Sequence, residues 1–205
     1  MKQRIIPILS FFLSILACTN PFTTRDAETP DLQENVTTPT RPLAYDEVVY
    51  FLQKAINEKN VVNYLNCFLD ESFPIPPSSY QFIHDRRIPQ ESFANWSLED
   101  ESSYLNNLIN SPGKNPPELL LNFFNTNFTY TPLADNWNDS ILVAPFKYEL
   151  RINYRDTAEV YLGISRIKLI ANDKAQWAIF YWEDRQDEAS NSMSWTYLKA
   201  ARRNR

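Results

Sequence analysis

Between Ile141 and Asp184 apolar and polar side chains alternate with a period of two. Phe146, Tyr148, Leu150, Ile152 and Tyr154 interleave with Lys147, Glu149, Arg151, Asn153 and Arg155, the pattern of a strand with one dry and one wet face. After the polar break Arg155-Asp156-Thr157 the alternation resumes with Val160, Leu162 and Ile164 as its apolar set. A second break, Asn172-Asp173-Lys174, leads into Trp177, Ile179 and Tyr181, interleaved with Ala178, Phe180 and Trp182. Three long strands joined by short turns predict an antiparallel meander. Its dry face needs a cover, and the helical spacing nearer the N-terminus supplies one.

Tyr45, Val48, Val49, Leu52, Ala55 and Ile56 recur at helical spacing, with Asp46 and Glu47 in the first turn where the helix dipole favours them. Glu58-Lys59-Asn60 ends that helix, and Val61, Tyr64, Leu65, Phe68 and Leu69 predict a second, shorter one. Pro74, Pro76 and Pro77 exclude a helix or a central strand at the start of the stretch Phe73–Pro89, leaving a short strand over Tyr80–Ile83. Ser97-Leu98-Glu99-Asp100 resembles a capping box with Asp as the returning acid, and Leu98, Leu105, Leu108 and Ile109 line one face of a third helix. Ser111-Pro112-Gly113 stops it. Glu118–Thr131 predicts a further strand, Pro132–Ser140 a loop, and Ser194–Arg205 a last strand or short helix.

The first residues bear on address. Lys2 and Arg4 precede an apolar run, Ile5–Ala17, too short for a membrane span and suited to a signal-peptide core. The run ends in Ile15-Leu16-Ala17-Cys18, which resembles the lipobox of bacterial lipoproteins. That resemblance implies cleavage before Cys18 and a diacylglycerol on its thiol. Residues 1–17 are then the signal peptide. Residues 18–42 are a lipidated cysteine and tether, and residues 43–205 the folded domain. Thr19–Pro42 holds four prolines and seven threonines among scattered charges, and cannot bury enough apolar surface to offset its ordering entropy. With Cys18 lipidated, Cys67 has no partner in the chain and reads as a small buried hydrophobe.

A domain of roughly 160 residues buries about two-thirds of its unfolded surface and needs no metal or disulfide staple. Two glycines in the whole chain exclude glycine-rich phosphate loops. The net charge of −5 argues against nucleic acid as a partner.

The order helix, helix, short strand, helix, long strands resembles the NTF2-like family, also called SnoaL-like or ketosteroid-isomerase-like. The likeness rests on Phe51-Leu52-Gln53-Lys54-Ala55-Ile56-Asn57-Glu58-Lys59-Asn60 running into Tyr64-Leu65-Asn66-Cys67-Phe68. It rests equally on Trp177-Ala178-Ile179-Phe180-Tyr181-Trp182-Glu183-Asp184 followed by Ser194-Trp195 and Leu198-Lys199. It implies an α+β domain over roughly Leu43–Lys199, with N-terminal helices packed on a curved antiparallel sheet that forms a cone. The Pro-rich stretch after Phe73 departs from the compact form. Enzymes of that family use an Asp or His base in the mouth of the cone, and family members often dimerise through the open sheet face.

Candidate chemistry is sparse. His84 is the one histidine, beside Asp85, and a base so placed can titrate near neutral pH; a surface pair in a loop with Arg86 and Arg87 is the plainer reading. One histidine excludes a Cys/His metal cluster and leaves His84 alone for any Ser-His-Asp arrangement. Glu99, Asp100 and Glu101 are consecutive and point to different helix faces, so they do not share an ion. No metal or cofactor is implied. Glu183 and Asp184 fall on opposite faces of their strand. Tyr148, Trp177 and Tyr181, with Tyr154, Tyr161, Trp182 and Trp195, line an apolar ligand pocket or simply pack the core. Lys199, Arg202, Arg203 and Arg205 either touch anionic headgroups or form a solvated tail.

Three functions fit. The first is a lipid-anchored envelope domain, at the inner or outer membrane, that binds a partner protein or small apolar ligand without catalysis. The second is an enzyme using His84 or a pocket carboxylate as general base, and the third a purely structural lipoprotein.

Overall fold

The computed structural model describes residues 40–73, 79–110, 116–125, 127–133 and 140–203, and these belong to one compact unit, Thr38–Arg205. The predicted signal peptide, Cys18 and the tether as far as Pro39 lie outside the described residues, as do Gly113 and Arg205.

Helix α1 (Val48–Asn57) follows a 3-10 turn at Tyr45–Glu47 and buries Val48, Val49, Leu52, Ala55 and Ile56, the predicted stripe. Asn60 then caps the short α2 (Val61–Leu65) by accepting a hydrogen bond from the Asn63 amide at 2.9 Å. Beyond α2 the chain runs along β6 (Trp177–Gln186), exchanging backbone bonds between Cys67 or Leu69 and Ile179. Strand β1 (Gln81–Ile83) continues on the same edge, parallel to β6.

Helix α3 (Leu98–Ile109) starts at Ser97, whose amide donates to the Asp100 carboxylate at 2.9 Å, the returning half of the predicted capping box. The stretch predicted as one strand is two, β2 (Glu118–Phe123) and β3 (Tyr130–Pro132), both antiparallel to β4 (Ser140–Asn153). Strands β4, β5 (Ala158–Ala171) and β6 form the meander, and the last segment is a helix, α4 (Trp195–Arg202). The sheet order is β1-β6-β5-β4-β2. It is mixed where the sequence implied an antiparallel sheet, because β1 arrives parallel after a long connection. Register breaks in β4 after Val143 and in β5 after Lys168 are the bulges that bend such strands.

The free edge of β2 is covered by α1: Gln53 donates to the Leu121 carbonyl and the Asn57 side chain accepts from the Leu121 amide, each at 2.7 Å. Domain packing begins slightly before Leu43, since Arg41 donates to the carbonyls of Asn66 and Phe68 and pairs with Asp70, and the Pro42 carbonyl accepts from the Trp177 amide. Cys67 is fully buried, and burial pushes its thiol up to about 12, as befits a small core hydrophobe.

One phase is corrected. The predicted dry set of β5, Val160, Leu162 and Ile164, is half-buried on the outer face, while Gly163, Ser165, Ile167 and Leu169 face the core. Register decides this: Tyr148 of β4 points inward and lies opposite Gly163. A Cβ on Gly163 would stand 2.3 Å from the Tyr148 hydroxyl oxygen and 2.8 Å from the Arg185 carbonyl. The bulky inward tyrosine therefore needs a glycine across from it. Gly163→Ala should cost at least the about 1–3 kcal/mol of overpacking, measured by urea unfolding. A change near zero would mean that Tyr148 is not held where the register puts it.

Candidate functional site

The helices and sheet enclose a buried polar network centred on Glu101 of α3 and Lys199 of α4, both wholly inaccessible. Helical spacing places them there. Glu101 follows Leu98 by three residues and precedes Leu105 by four; Lys199 follows Trp195 by four and precedes Arg202 by three. Lys199 donates to Glu101 Oε1 at 2.5 Å. The same oxygen accepts from the Tyr80 hydroxyl and the Trp96 indole, each at 2.8 Å, and Oε2 accepts from the Tyr64 hydroxyl at 2.7 Å. The carboxylate thus has four donors, which is what makes a charge tolerable in a dry interior.

Aromatic rings complete the shell around the ammonium. Lys199 Nζ lies 3.9 Å from the Trp182 ring centre and 4.1 Å from that of Phe82, with Tyr104, Trp96 and Trp195 at 5.7–5.9 Å. Burial pulls the Lys199 ammonium below its ordinary value, and Glu101 opposes that shift. Burial, then the Glu101 charge, pushes the Tyr64 and Tyr80 phenols well above theirs, so both stay protonated donors.

A second buried carboxylate, Asp184 of β6, fastens the start of α4. Its Oδ2 accepts from the Thr196 amide at 2.7 Å and hydroxyl at 2.6 Å, and its Oδ1 accepts from the Tyr148 hydroxyl at 2.6 Å. The Tyr148 oxygen in turn accepts from the Trp195 amide at 2.7 Å. Burial raises the Asp184 carboxyl above the usual range, against the pull of the Thr196 and Tyr148 hydrogen bonds. The folded state therefore holds this proton to higher pH than the unfolded chain. The contribution of Asp184 to stability is fullest below about pH 3.9 and is lost as pH rises through its raised folded value. Asp184→Asn should cost about 1–3 kcal/mol at acid pH, because an amide nitrogen replaces the acceptor of Thr196. The difference from wild type should shrink toward neutral pH in urea titrations. A difference constant from pH 4 to 8 would mean that folding does not raise the proton affinity of Asp184.

The sequence-level candidates are scattered. His84 is half-buried, stacked on Phe93 at 4.9 Å with Nδ1 2.9 Å from the Asp85 carbonyl oxygen. Asp85 is buried and accepts from the amides of Arg87 and Gln186, which ties the loop to β6. Glu183 and Asp184 do face opposite ways, Glu183 pairing with Arg166 and Arg185 outside. Tyr148, Trp177 and Tyr181 do not share a wall: Tyr148 is interior, and Trp177 packs edge-on against Tyr45 at 5.6 Å. Tyr181 lies under Lys168 on the outer face, next to the inward Trp182. As far as Arg203, the basic C-terminal segment is not a solvated tail. Lys199 is interior, Arg202 bonds Tyr154 and pairs with Glu159, and Arg203 pairs with Asp100.

Among the surface clefts lined by the described residues, two are open and well formed. One, of about 430 Å³, is lined by charged groups including Arg86, Arg87, Arg185, Glu183 and Asp187. The other, of about 260 Å³, is lined by Phe124, Phe128, Pro145 and Phe146 among others, and Phe124 is 65 % exposed. Among the described residues, no group of three His, Cys, Asp or Glu side chains is placed to hold a metal ion, and no helix is long and apolar enough to cross a membrane.

No protein-family model and no curated protein matches the chain. In solved structures, the domain is similar to NTF2-like proteins. One is an NTF2-like superfamily protein from Salmonella enterica serovar Typhimurium, at TM-score 0.46 and 10 % identity over 71 % of this chain and 91 % of that one. Another is an NTF2-like protein with a cystatin-like fold from Novosphingobium aromaticivorans, at 0.48 and 7 % over 71 % and 81 %. A putative scytalone dehydratase from the same organism gives 0.49 and 8 % over 73 % and 88 %. Likenesses this distant concern the arrangement of helices and sheet, and nothing about chemistry is taken from them.

Proposed function

We propose that this chain is a lipid-anchored lipoprotein of the bacterial envelope whose domain binds a partner protein or small apolar ligand without converting it. The observation that carries this reading is the packing of α4 into the interior. Trp195, Leu198 and Lys199 are all buried there, and Glu101 and Asp184 are already bonded to the chain's own donors. A general-base enzyme needs an ionisable group facing a substrate; the interior Glu101 and Asp184 instead face tyrosines, a tryptophan, a lysine and a threonine. Binding then falls to the surface, and the cleft at Phe124, Phe128 and Phe146 has the apolar lining for it. Anchoring rests on the lipobox-like Ile15-Leu16-Ala17-Cys18. A homodimer through the outer sheet face belongs to the same proposal.

The test is native mass spectrometry of the full chain extracted from its own membranes in mild detergent. A mass excess that vanishes on denaturation, and is lost in Phe128→Asp, supports surface binding. A bound species that persists in Phe128→Asp, or is released chemically altered, overturns it. Cys18→Ser should abolish incorporation of labelled fatty acid; continued labelling would sink the anchor.

A further inference from the structure

A band of aromatic rings leads away from the point where the described chain begins. Arg41 fixes that point by donating to the Asn66 and Phe68 carbonyls, and the Pro42 carbonyl accepts from the Trp177 amide at 2.8 Å. Tyr45 packs edge-on against Trp177 at 5.6 Å and against Tyr130 at 4.9 Å. Tyr130 then meets Phe128 at 6.4 Å, and Phe128 meets Phe146 at 5.1 Å. Phe128, Phe146 and Phe124 line the apolar cleft, where Phe124 is 65 % exposed. The band thus joins the chain's entry to the cleft. Tyr45 is itself exposed, and Trp177, Tyr130 and Phe128 are half-buried, so the band is open along its length. We propose that it lies against the bilayer that holds the anchor, with the cleft taking a phospholipid acyl chain.

This rests on the anchored reading and names the apolar ligand of its cleft. Cys18 precedes Thr40 by 22 residues, so a lipid on its thiol keeps the start of the band within about 75 Å of the membrane. Confinement of that order corresponds to a roughly millimolar effective concentration, at which contacts too weak to hold a free protein suffice. The order of rings also suits a bilayer. Tyr and Trp, with polar tips, stand near the anchored end and match headgroup level, while the phenylalanines at the cleft match the acyl boundary. Charge is not the source of attraction. The chain carries −5 overall, and the exposed Asp46 and Glu47 follow Tyr45, so neutral phosphatidylcholine is the matching surface.

The experiment is photo-crosslinking of the full mature chain, extracted with its lipid and reconstituted in phosphatidylcholine vesicles carrying a diazirine on one acyl chain. Cross-links should fall between Phe124 and Tyr130. Phe124→Asp, at an exposed position that the fold tolerates, should lower their yield about tenfold by setting a charge against acyl chains. Ile83→Asp, at an exposed apolar residue on the opposite edge of the sheet, should leave it unchanged. Lipid on Cys18 with no cross-links in the domain overturns this proposal and leaves the anchor standing. Absence of lipid on Cys18 overturns the anchored reading and this proposal with it. Equal yield in Phe124→Asp, or an equal loss in Ile83→Asp, overturns the docking face. A dimer in native mass spectrometry that Phe124→Asp dissociates would put a second copy on the band instead, and overturns it too.

Discussion

Glu101→Leu is expected to lose about 3–5 kcal/mol in urea unfolding, among the largest costs of any single substitution in the domain. The reason is the company Glu101 keeps. Removing it strands the Lys199 ammonium in a dry interior, and it takes the acceptor from Tyr64, Tyr80 and Trp96 together. Native domains are stable by only about 5–15 kcal/mol, so the variant would sit near the edge of folding. The companion experiment is the double variant Glu101→Leu with Lys199→Leu. It removes both charges and should recover part of the loss, since hydrophobic replacement of a whole buried pair is often neutral or better. If the single variant is nearly neutral, the pair is not sealed from water.

Trp195→Ala should cost a similar amount, about 3–5 kcal/mol. The Trp195 ring packs edge-on against Trp182 at 4.9 Å and against Tyr148 at 5.5 Å, and its indole donates to the Tyr104 hydroxyl at 2.6 Å. Losing it opens a cavity between α4 and the sheet and leaves Tyr104 without that donor. Trp177, half-buried against Tyr45 at the start of β6, is the control and should cost clearly less. Equal costs would mean that α4 is not the seal of the interior. Because α4 also carries Lys199, the two large effects should be non-additive when combined.

Much of this architecture was legible from periodicity. Val48 to Ile56 announced α1, Leu98 to Ile109 announced α3, and Phe146 to Ile152 announced the dry face of β4; these runs are long, and one face of each is uniformly buried. Legibility failed where local preference and register disagreed. Val160, Leu162 and Ile164 are β-branched or large apolar residues that look like a core stripe. Their pairing with Arg151, Glu149 and Lys147 puts them outside, and the core positions went to Gly163 and Ser165 because Tyr148 and Trp182 already fill that space. Glu118–Thr131 read as one strand for a related reason: both halves pair with β4, and the interruption between them carries no strong sequence mark.

The candidate site was less legible still. Glu101 stood among three consecutive acids and Lys199 near a basic C-terminus, and charged residues at such places usually face water. One signal was present: each sits at the i+3 or i+4 spacing of an apolar residue on its helix, Glu101 between Leu98 and Leu105, Lys199 four residues after Trp195. A charge on an apolar face is costly unless a partner meets it, and that partner lies 98 residues away along the chain.

The sequence by itself determined most of the elements, the α+β class, and the expectation of an exported, anchored chain, because periodicity, proline placement and an apolar N-terminal run are local properties. Tertiary structure alone decided which charges are buried, which face of β5 is dry and what fills the interior. Those outcomes depend on strand register and on contacts between distant elements. The burial of Glu101 or of Lys199 is worth its cost only when both arrive at the same place.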